Sequence, residues 1–477
     1  MIARPPLPPG PYLVVGLARS GLAAALALRA VGEAVAGVDG GAVAPGSVRE
    51  LAAAGVAVHE HSDGVGLLED AATVVKSPGV PAEAPVVAAA RARGMPVLGE
   101  LELGWRLLPQ PVIAITGSNG KTTTTELVGH IHREAGLAVA VAGNVGTALT
   151  SLAGRLAGDV VVVCEASSFQ LEDTVAFAPD AAVLLNLAPD HLDRHGTFAA
   201  YREAKLRVLA HQPPEALAVL PAGLATTGRA RRVTFASPMP GAAPGSEGAA
   251  AEAGPATAGS WAADMAGSGA AAAVGGAAAA DVTVANGRLA WRGEPVIELD
   301  EIRLRGAHNL ENAMAAAAVT LARGIEPGAV AGALAGFGGV AHRLEEVTRR
   351  DGVLYVDDSK ATNVASSAVG LRAFPGGVHA ILGGRGKQED YAPLAAAVAE
   401  RARAAYLIGE EAGRLGAALQ ATGVPLHNCE QLERAVAAAR AAARPGEVVL
   451  LSPACASYDQ YRSFEERGEH FKALVRA

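Results

Sequence analysis

The chain has 477 residues, half of them hydrophobic and 18% charged. That is too long for one core and predicts about three domains of roughly 150 residues each. The formal net charge of -8 excludes the basic surface that non-specific nucleic-acid binding needs. Three cysteines without metal-type spacing, Cys164, Cys429 and Cys455, fit a reducing cytosol.

The first residues, MIARPPLPPG, lack the basic-then-apolar order of a signal peptide. The apolar stretch YLVVGLARSGLAAALAL carries Arg19 and is cut by glycines, so it reads as strand, turn and helix and not as a membrane span. The expectation is a cytoplasmic protein with no membrane or nucleic-acid partner. From Tyr12 onward, short apolar runs alternate with alanine- and leucine-rich helical stretches: YLVV, a helix from about Ser20, AVAGVD, a helix, then TVVKSPGV. Such alternation predicts βαβ units and a parallel sheet. A second start, PVIAIT, follows the linker-like residues 109–111 and continues through DVVVVCEAS and AAVLLNLAP. Residues 237–281 are nearly all Ala, Gly, Pro and Ser. They bury little and cost much entropy to order, so a disordered surface insertion is expected. A third start follows GFGGVAHRLEEV, with GVLYVDDS, HAILGGRG, AAYLIGEE and EVVLLSPAC as its strands. The reading is three α/β domains that break near 109 and 340.

The string AITGSNGKTTTTELV, residues 114–128, is a phosphate-loop pattern with a shortened approach. The common form has a glycine six residues before the lysine. Here that place holds Ile115, and the nearest upstream glycine is Gly117. The loop falls at a strand-to-helix turn, where backbone N–H groups and the helix dipole favour an anion. Gly117 and Gly120 let the backbone approach phosphate oxygens, Lys121 supplies a point charge and the Thr122 hydroxyl can ligate Mg2+. A second glycine loop, GLARSG, residues 16–21, follows the strand YLVV, with Asp39 ending the next strand. It is an imperfect dinucleotide fingerprint, and a tight helix–strand packing turn explains it equally well.

Two further stretches put polar residues after apolar strands, where open α/β sheets bind ligands. CEASSFQLE places Glu165 there, and NLAPDHLDRHG places Asp190, His191, Asp193 and His195. Glu165 and His191 can face the same Mg2+ as Thr122, although histidine is an unusual partner for a hard cation and a hydrogen-bonded turn histidine is the alternative. YREAKLRVL carries Lys205 on a helix. Spacing alone reads it as a solvated lysine paired with Glu203 or Tyr201; an apolar or metal-rich setting would make it a reactive amine.

Taken together, TGSNGKTT, EASSFQLE, DHLDRHG, YREAK, GAHNLENAMAA, HRLE, DDSKATN and LSPACASYDQYRSFEERG resemble the Mur ligases of peptidoglycan synthesis. DDSKATN and SPACASYDQY are most similar to the branch that adds D-glutamate. The motifs run from Gly16 to Gly468, nearly the whole chain, and the short loop is that family's own form, T-G-x-N-G-K-[ST].

The resemblance implies a Rossmann-like domain over 1–108, a central ATPase-type domain with a parallel or mixed sheet over 109–339, and a second Rossmann-like domain over 340–477. It implies a monomeric, ATP-dependent ligase that adds D-glutamate to UDP-N-acetylmuramoyl-L-alanine through an acyl phosphate, releasing ADP and phosphate, with two Mg2+ ions. Lys121, Glu165, His191 and Lys205 are the implied catalytic set. Thr122, Glu165, His191 and Lys205, the last as a carbamate, are the implied metal set. Gly117, Ser118, Asn119, Gly120, Lys121, Thr122 and Thr123 would hold the ATP phosphates. Asn312 and His342 would contact adenine, Arg343 a phosphate and Asp358 the ribose, with Lys360 nearby. Gly16, Leu17, Ala18, Arg19, Ser20, Asp39, Gly79, Asn144 and His191 would line the UDP-substrate site. Thr362, Lys387, Ser457 and Phe464 would form the D-glutamate pocket.

The chain departs from the family pattern in three places. Gly40 and Gly41 follow Asp39, where the family has an arginine near the uracil and diphosphate, and Arg19 is the cation that could replace it. Arg385 stands where an acid is common, and the 237–281 insertion has no counterpart. Rival readings are a sister ligase, which the C-terminal text disfavours, a nucleotide-gated binding protein, which needs no Glu165, His191 and Lys205 set, and a hydride-transfer enzyme, which needs no phosphate loop.

Overall fold

Strands buried on both faces need uninterrupted apolar runs, and YLVV meets that condition: every residue of Tyr12–Val15 is buried. This computed structural model describes residues 2–144, 146–188, 190–236, 280–304, 306–386 and 389–477. The described residues form two compact units, 2–337 and 338–477.

The first unit holds two sheets. In one, β1 (Tyr12–Val15), β2 (Val35–Val38), β3 (Ala57–His59), β4 (Thr73–Lys76) and β5 (Val97–Gly99) run in the order β3-β2-β1-β4-β5, all parallel. The other comprises β6 (Val112–Thr116), β7 (Val139–Gly143), β8 (Val161–Glu165), β9 (Ala181–Leu184), β10 (Leu217–Pro221), β11 (Arg231–Phe235), β12 (Val282–Ala285), β13 (Arg288–Trp291) and β14 (Glu294–Glu298). Their order is β14-β13-β12-β11-β10-β9-β6-β8-β7. The chain leaves β6 toward β8 and β7 and later returns on its other side to β9. The carboxyl end of β6 is therefore a switch point, where such sheets take ligands. β12, β13 and β14 are antiparallel, which makes the sheet mixed. Two tight turns build them: Asn286 and Gly287, then Arg292 and Gly293, all at positive φ, the geometry of type I′ hairpins. Most of the expected 237–281 insertion, residues 237–279, lies outside the described residues.

The two sheets are fastened by buried charge. The Lys76 ammonium at the end of β4 lies 2.7 Å from Asp173, both side chains at most 1% exposed. Glu102 accepts from the Val175 and Ala176 N–H groups and from Arg106. Glu100, on the same helix (Glu100–Leu107), is buried and accepts from both the N–H and the hydroxyl of Thr150 at 2.8 Å. Burial nevertheless raises its pKa. An acid whose proton affinity is higher folded than unfolded stabilises the fold at low pH and loses that contribution as pH rises. Glu100→Gln is therefore expected to melt above wild type at pH 8, with the advantage shrinking toward pH 4. Calorimetry across that range checks it; a lower melting point at pH 8 would contradict it.

The second unit has β15 (Glu345–Arg350), β16 (Val353–Asp357), β17 (Val378–Gly383), β18 (Ala402–Ile408), β19 (Leu426–Glu430) and β20 (Val448–Leu451), ordered β15-β16-β20-β17-β18-β19. Only the edge strand β15 pairs antiparallel. No described helix is long and apolar enough to cross a membrane.

Candidate active site

The phosphate loop occupies the switch point after β6. Gly120 has φ +83, which a side chain would strain, and a Cβ there would collide with Asn312 Oδ1. The following helix, Lys121–Glu134, has Gly120 as its N-cap. Asn312, buried on the helix Ala307–Ala322, accepts from the Thr124 hydroxyl at 3.3 Å, so this adenine candidate lies against the loop. The loop is held from behind. Ser118 Oγ donates to the Ala188 carbonyl at 2.9 Å and accepts from the Tyr201 hydroxyl at 2.9 Å. The Asn119 N–H donates to the Asn186 side chain at 2.9 Å. Lys121 curls back, its ammonium 2.9 Å from both the Gly117 and Ser118 carbonyls.

Lys205 is not solvated, and Glu203 is not its partner. It is 1% exposed, donates to the Gly117 carbonyl at 2.7 Å and lies 4.7 Å from the centre of the Tyr201 ring. Burial, helped by the charge of Lys121, pushes its pKa down to about 7, against the pull of Asp190 and Glu165. One turn of the helix Phe198–Ala210 thus delivers Tyr201 to Ser118 and Lys205 to Gly117.

Glu165 ends β8 and is 3% exposed. Its Oε1 accepts from Asn144 Nδ2 at 3.0 Å, while its buried Oε2 accepts no hydrogen bond. Asn144 is strapped to the same residue through its N–H and the Glu165 carbonyl, 2.9 Å. Thr122 is buried at the start of the loop helix. His191 has φ +50 and a half-exposed ring 4.8 Å from that of Phe169, and its N–H is capped by Asp190. A buried carboxylate with an unpartnered oxygen, close to hydroxyl-bearing loop residues, is a donor set that suits a hard divalent cation.

A cleft of about 370 Å³ lies beside these groups, lined by Gly16, Ala18, Arg19, Ser20, Asp39, Gly79 and Asn144 among others. Arg19 is the one cation among its described lining residues and donates to the Gly146 carbonyl at 2.9 Å. The Asp39 oxygens accept from the N–H groups of Leu17 and Gly41 at 2.8 and 2.9 Å. Leu17 is turned into the core, and neither Leu17 nor His191 lines the cleft. Ser77 and Gln170 line it and were not foreseen. Gln170 had a local signal, the capping box Ser167-x-x-Gln170, which the structure forms. Ser77, whose hydroxyl donates to the Gly16 carbonyl at 2.7 Å, had none.

In the second unit, Asp358 is buried, its oxygens taken by the Ser452 hydroxyl at 2.6 Å and the Leu344 N–H at 3.2 Å, and burial pushes its pKa up to about 7. His342, at φ +61, is buried with Nδ1 2.7 Å from Asp357. Arg343 is exposed, and Lys360 and Thr362 are half-buried on the turn after β16. The Lys360 ammonium lies 5.9 Å from the centre of the Phe464 ring. Ser457 is buried. Arg467, also buried, donates to carbonyls of Ser359 and Cys455 at 3.0 and 3.1 Å and so joins the DDSKATN turn to the segment carrying Ser457. Arg385 pairs with Glu410 on the surface and bridges to Ala456. Lys387 lies outside the described residues. His342, Glu345 and Asp357 form a metal-type group among the described residues, but the Lys472 ammonium already stands 2.7 Å from Glu345 and 4.0 Å from Asp357.

Three family models match the chain in order: the N-terminal domain of MurD-like Mur ligases at residues 11–99, the Mur ligase middle domain at 115–238 and the Mur glutamate ligase domain at 342–455. Relatives about 40% identical extend over nearly its full length. The chain belongs to the Mur ligase family. Among these relatives, the protein named UDP-N-acetylmuramoylalanine–D-glutamate ligase in Pelotomaculum thermopropionicum is 41% identical, over 97% of this chain and 96% of its own length. The protein of the same name in Myxococcus xanthus is 41% identical, over 98% of each. The fold is shared with solved structures of lower identity. UDP-N-acetylmuramate-alanine ligase of Thermotoga maritima matches with TM-score 0.56 at 18% identity, over 98% of this chain and 99% of its own. The MurF ligase of the same organism, solved with ADP, matches with TM-score 0.52 at 16% identity, over 93% and 95%.

Proposed function

We propose that this protein is an ATP-dependent ligase that joins D-glutamate to UDP-N-acetylmuramoyl-L-alanine in the cytoplasm, releasing ADP and phosphate. The observation that carries the reading is Lys205: a lysine buried against the carbonyl of a phosphate-loop glycine. An ATP-binding module without chemistry does not need it. The names of the chain-long relatives supply the substrates.

The chemistry follows from charge. A carboxylate is a poor acyl donor because oxide would have to leave; phosphorylation makes the leaving group phosphate. The terminal carboxylate oxygen attacks the γ-phosphorus of ATP and ADP departs. The D-glutamate amine then adds to the acyl carbon, loses a proton and expels phosphate. Two anions must meet in the first step, so Lys121 and the N–H groups of residues 117–123 neutralise and orient the phosphates. Thr122, Glu165, His191 and a carbamate formed on Lys205 would hold Mg2+, which when bound stabilises charge on the phosphoryl oxygens. A carbamate would turn a buried cation into an oxygen donor. The cleft at Gly16, Arg19, Asp39, Gly79 and Asn144 takes the UDP-linked substrate. Asn312, His342, Arg343, Asp358 and Lys360 serve the nucleoside and phosphates of ATP, and Thr362, Lys387, Ser457 and Phe464 serve D-glutamate. We assign domains to 1–108, 109–339 and 340–477 and a monomeric state.

Incubating the protein with ATP, Mg2+, UDP-N-acetylmuramoyl-L-alanine and single amino acids tests the reading. D-glutamate alone is expected to give a product heavier by one glutamyl unit. Turnover with a different amino acid would overturn the pocket assignment, and no product with any would overturn the ligase.

A further inference from the structure

Arg194, in the DHLDRHG motif, has no role in the mechanism above, yet its side chain is engaged by three hydrogen bonds and a ring. It sits on the short helix Leu192–His195, directly after His191. One of its nitrogens donates to the Pro78 carbonyl at 3.2 Å. The other donates to the Val80 carbonyl at 3.3 Å and to Glu172 at 2.8 Å. Its guanidinium carbon also lies over the Phe169 ring, 4.4 Å from the ring centre. Residues 77–80 form one wall of the cleft. That wall follows β4 of the first sheet, whereas Phe169, Glu172 and Arg194 lie on segments that follow β8 and β9 of the second.

The wall is also held by its backbone: the Ser77 N–H donates to the Val15 carbonyl and the Val80 N–H to the Ser77 carbonyl, both at 3.0 Å. Ser77 donates to the Gly16 carbonyl at 2.7 Å, and the buried Lys76 donates to the Val80 carbonyl at 2.7 Å. Proline supplies no N–H at residue 78 and Gly79 no side chain, so across the middle of the strip outside support comes through donors aimed at its carbonyls. A guanidinium presents several donors in one rigid plane and can bridge two carbonyls and a carboxylate; an ammonium cannot span the same three with fixed geometry.

We propose that Arg194 is a positioning residue that fixes residues 77–80 against the second sheet and thereby sets the distance between the UDP-substrate cleft and the phosphate loop. The inference rests on the ligase reading for the identity of the substrate. It makes the DHLDRHG turn serve two purposes, one through His191 and one through Arg194.

The test is steady-state kinetics on the full chain, with UDP-N-acetylmuramoyl-L-alanine and ATP varied separately. Arg194→Met is expected to raise KM for the UDP substrate about tenfold, because displacing a support by a fraction of an ångström misplaces the bound group. KM for ATP and the melting temperature stay near wild type, and Arg194→Lys falls between the two. Glu172→Gln, which loosens the anchor without removing the guanidinium, shifts KM the same way by less and stands in if Arg194→Met does not fold. Equal KM values in variant and wild type, or equal rises for both substrates with a lowered melting temperature, overturn the proposal. Wild-type turnover with this substrate tests the ligase reading separately, since the role of Arg194 is read only from the ratio of variant to wild type.

Discussion

Replacing Lys121 by methionine is expected to lower kcat by about 10²–10³-fold, the range seen when one preorganised donor aimed at developing negative charge is removed. Methionine keeps an unbranched apolar stem of similar length and a good helix propensity, so the helix should still start at this position. What disappears is the only phosphate-directed charge carried by the loop itself. In the structure the ammonium already lies within 2.9 Å of two loop carbonyls, poised at the mouth of the anion cradle. Arginine is not expected to restore the rate, because its planar fork does not replace a point charge in a tight turn. Phosphate release at saturating substrates, with circular dichroism as the control for folding, gives the answer. A folded variant with wild-type kcat would remove the loop from the chemistry.

Glu165→Gln is the second large effect. The amide can still accept from Asn144 through its oxygen, so Asn144 and the end of β8 should stay in place. The anion is lost, and with it the buried Oε2 that has no protein partner. Turnover is expected to fall by about 10²-fold or more, and the Mg2+ concentration for half-maximal rate to rise about tenfold or more, as when a carboxylate donor or its support is removed from a metal site. Thermal stability should hold, since the amide keeps the hydrogen bond from Asn144. A Mg2+ titration of the variant decides. An unchanged Mg2+ requirement together with a lowered melting temperature would make Glu165 a structural residue.

Much of this arrangement was legible in the sequence, for identifiable reasons. Parallel strands such as YLVV and VVVVC are continuous apolar runs, and each polar residue that follows marks a strand end; that logic located Gly16, Glu165 and the phosphate loop. The antiparallel strands β12–β14 escaped it because their faces differ in burial and their runs are short, although the Asn286-Gly287 turn was a readable signal. Lys205 shows the opposite limit. Helical spacing offered Glu203 and Tyr201 as partners; the Tyr201 ring does lie against the ammonium, but the hydrogen-bond acceptor, Gly117, is 88 residues away. Only the packing of the helix Phe198–Ala210 on the phosphate loop reveals it. Ser77 and Arg194 were equally out of reach, since both act on backbone carbonyls distant in sequence. Leu17 sends its N–H to Asp39 and its side chain into the core, a split that the string GLARSG does not reveal.

The central claim is that the phosphate loop and the groups around it activate a carboxylate by phosphorylating it. The most direct measurement uses UDP-N-acetylmuramoyl-L-alanine labelled with oxygen-18 in its terminal carboxylate, turned over once with ATP and D-glutamate. An acyl phosphate requires one labelled oxygen to leave with each phosphate, so mass analysis should find singly labelled phosphate and product amide retaining the other label. Unlabelled phosphate accompanying full product formation would contradict the account.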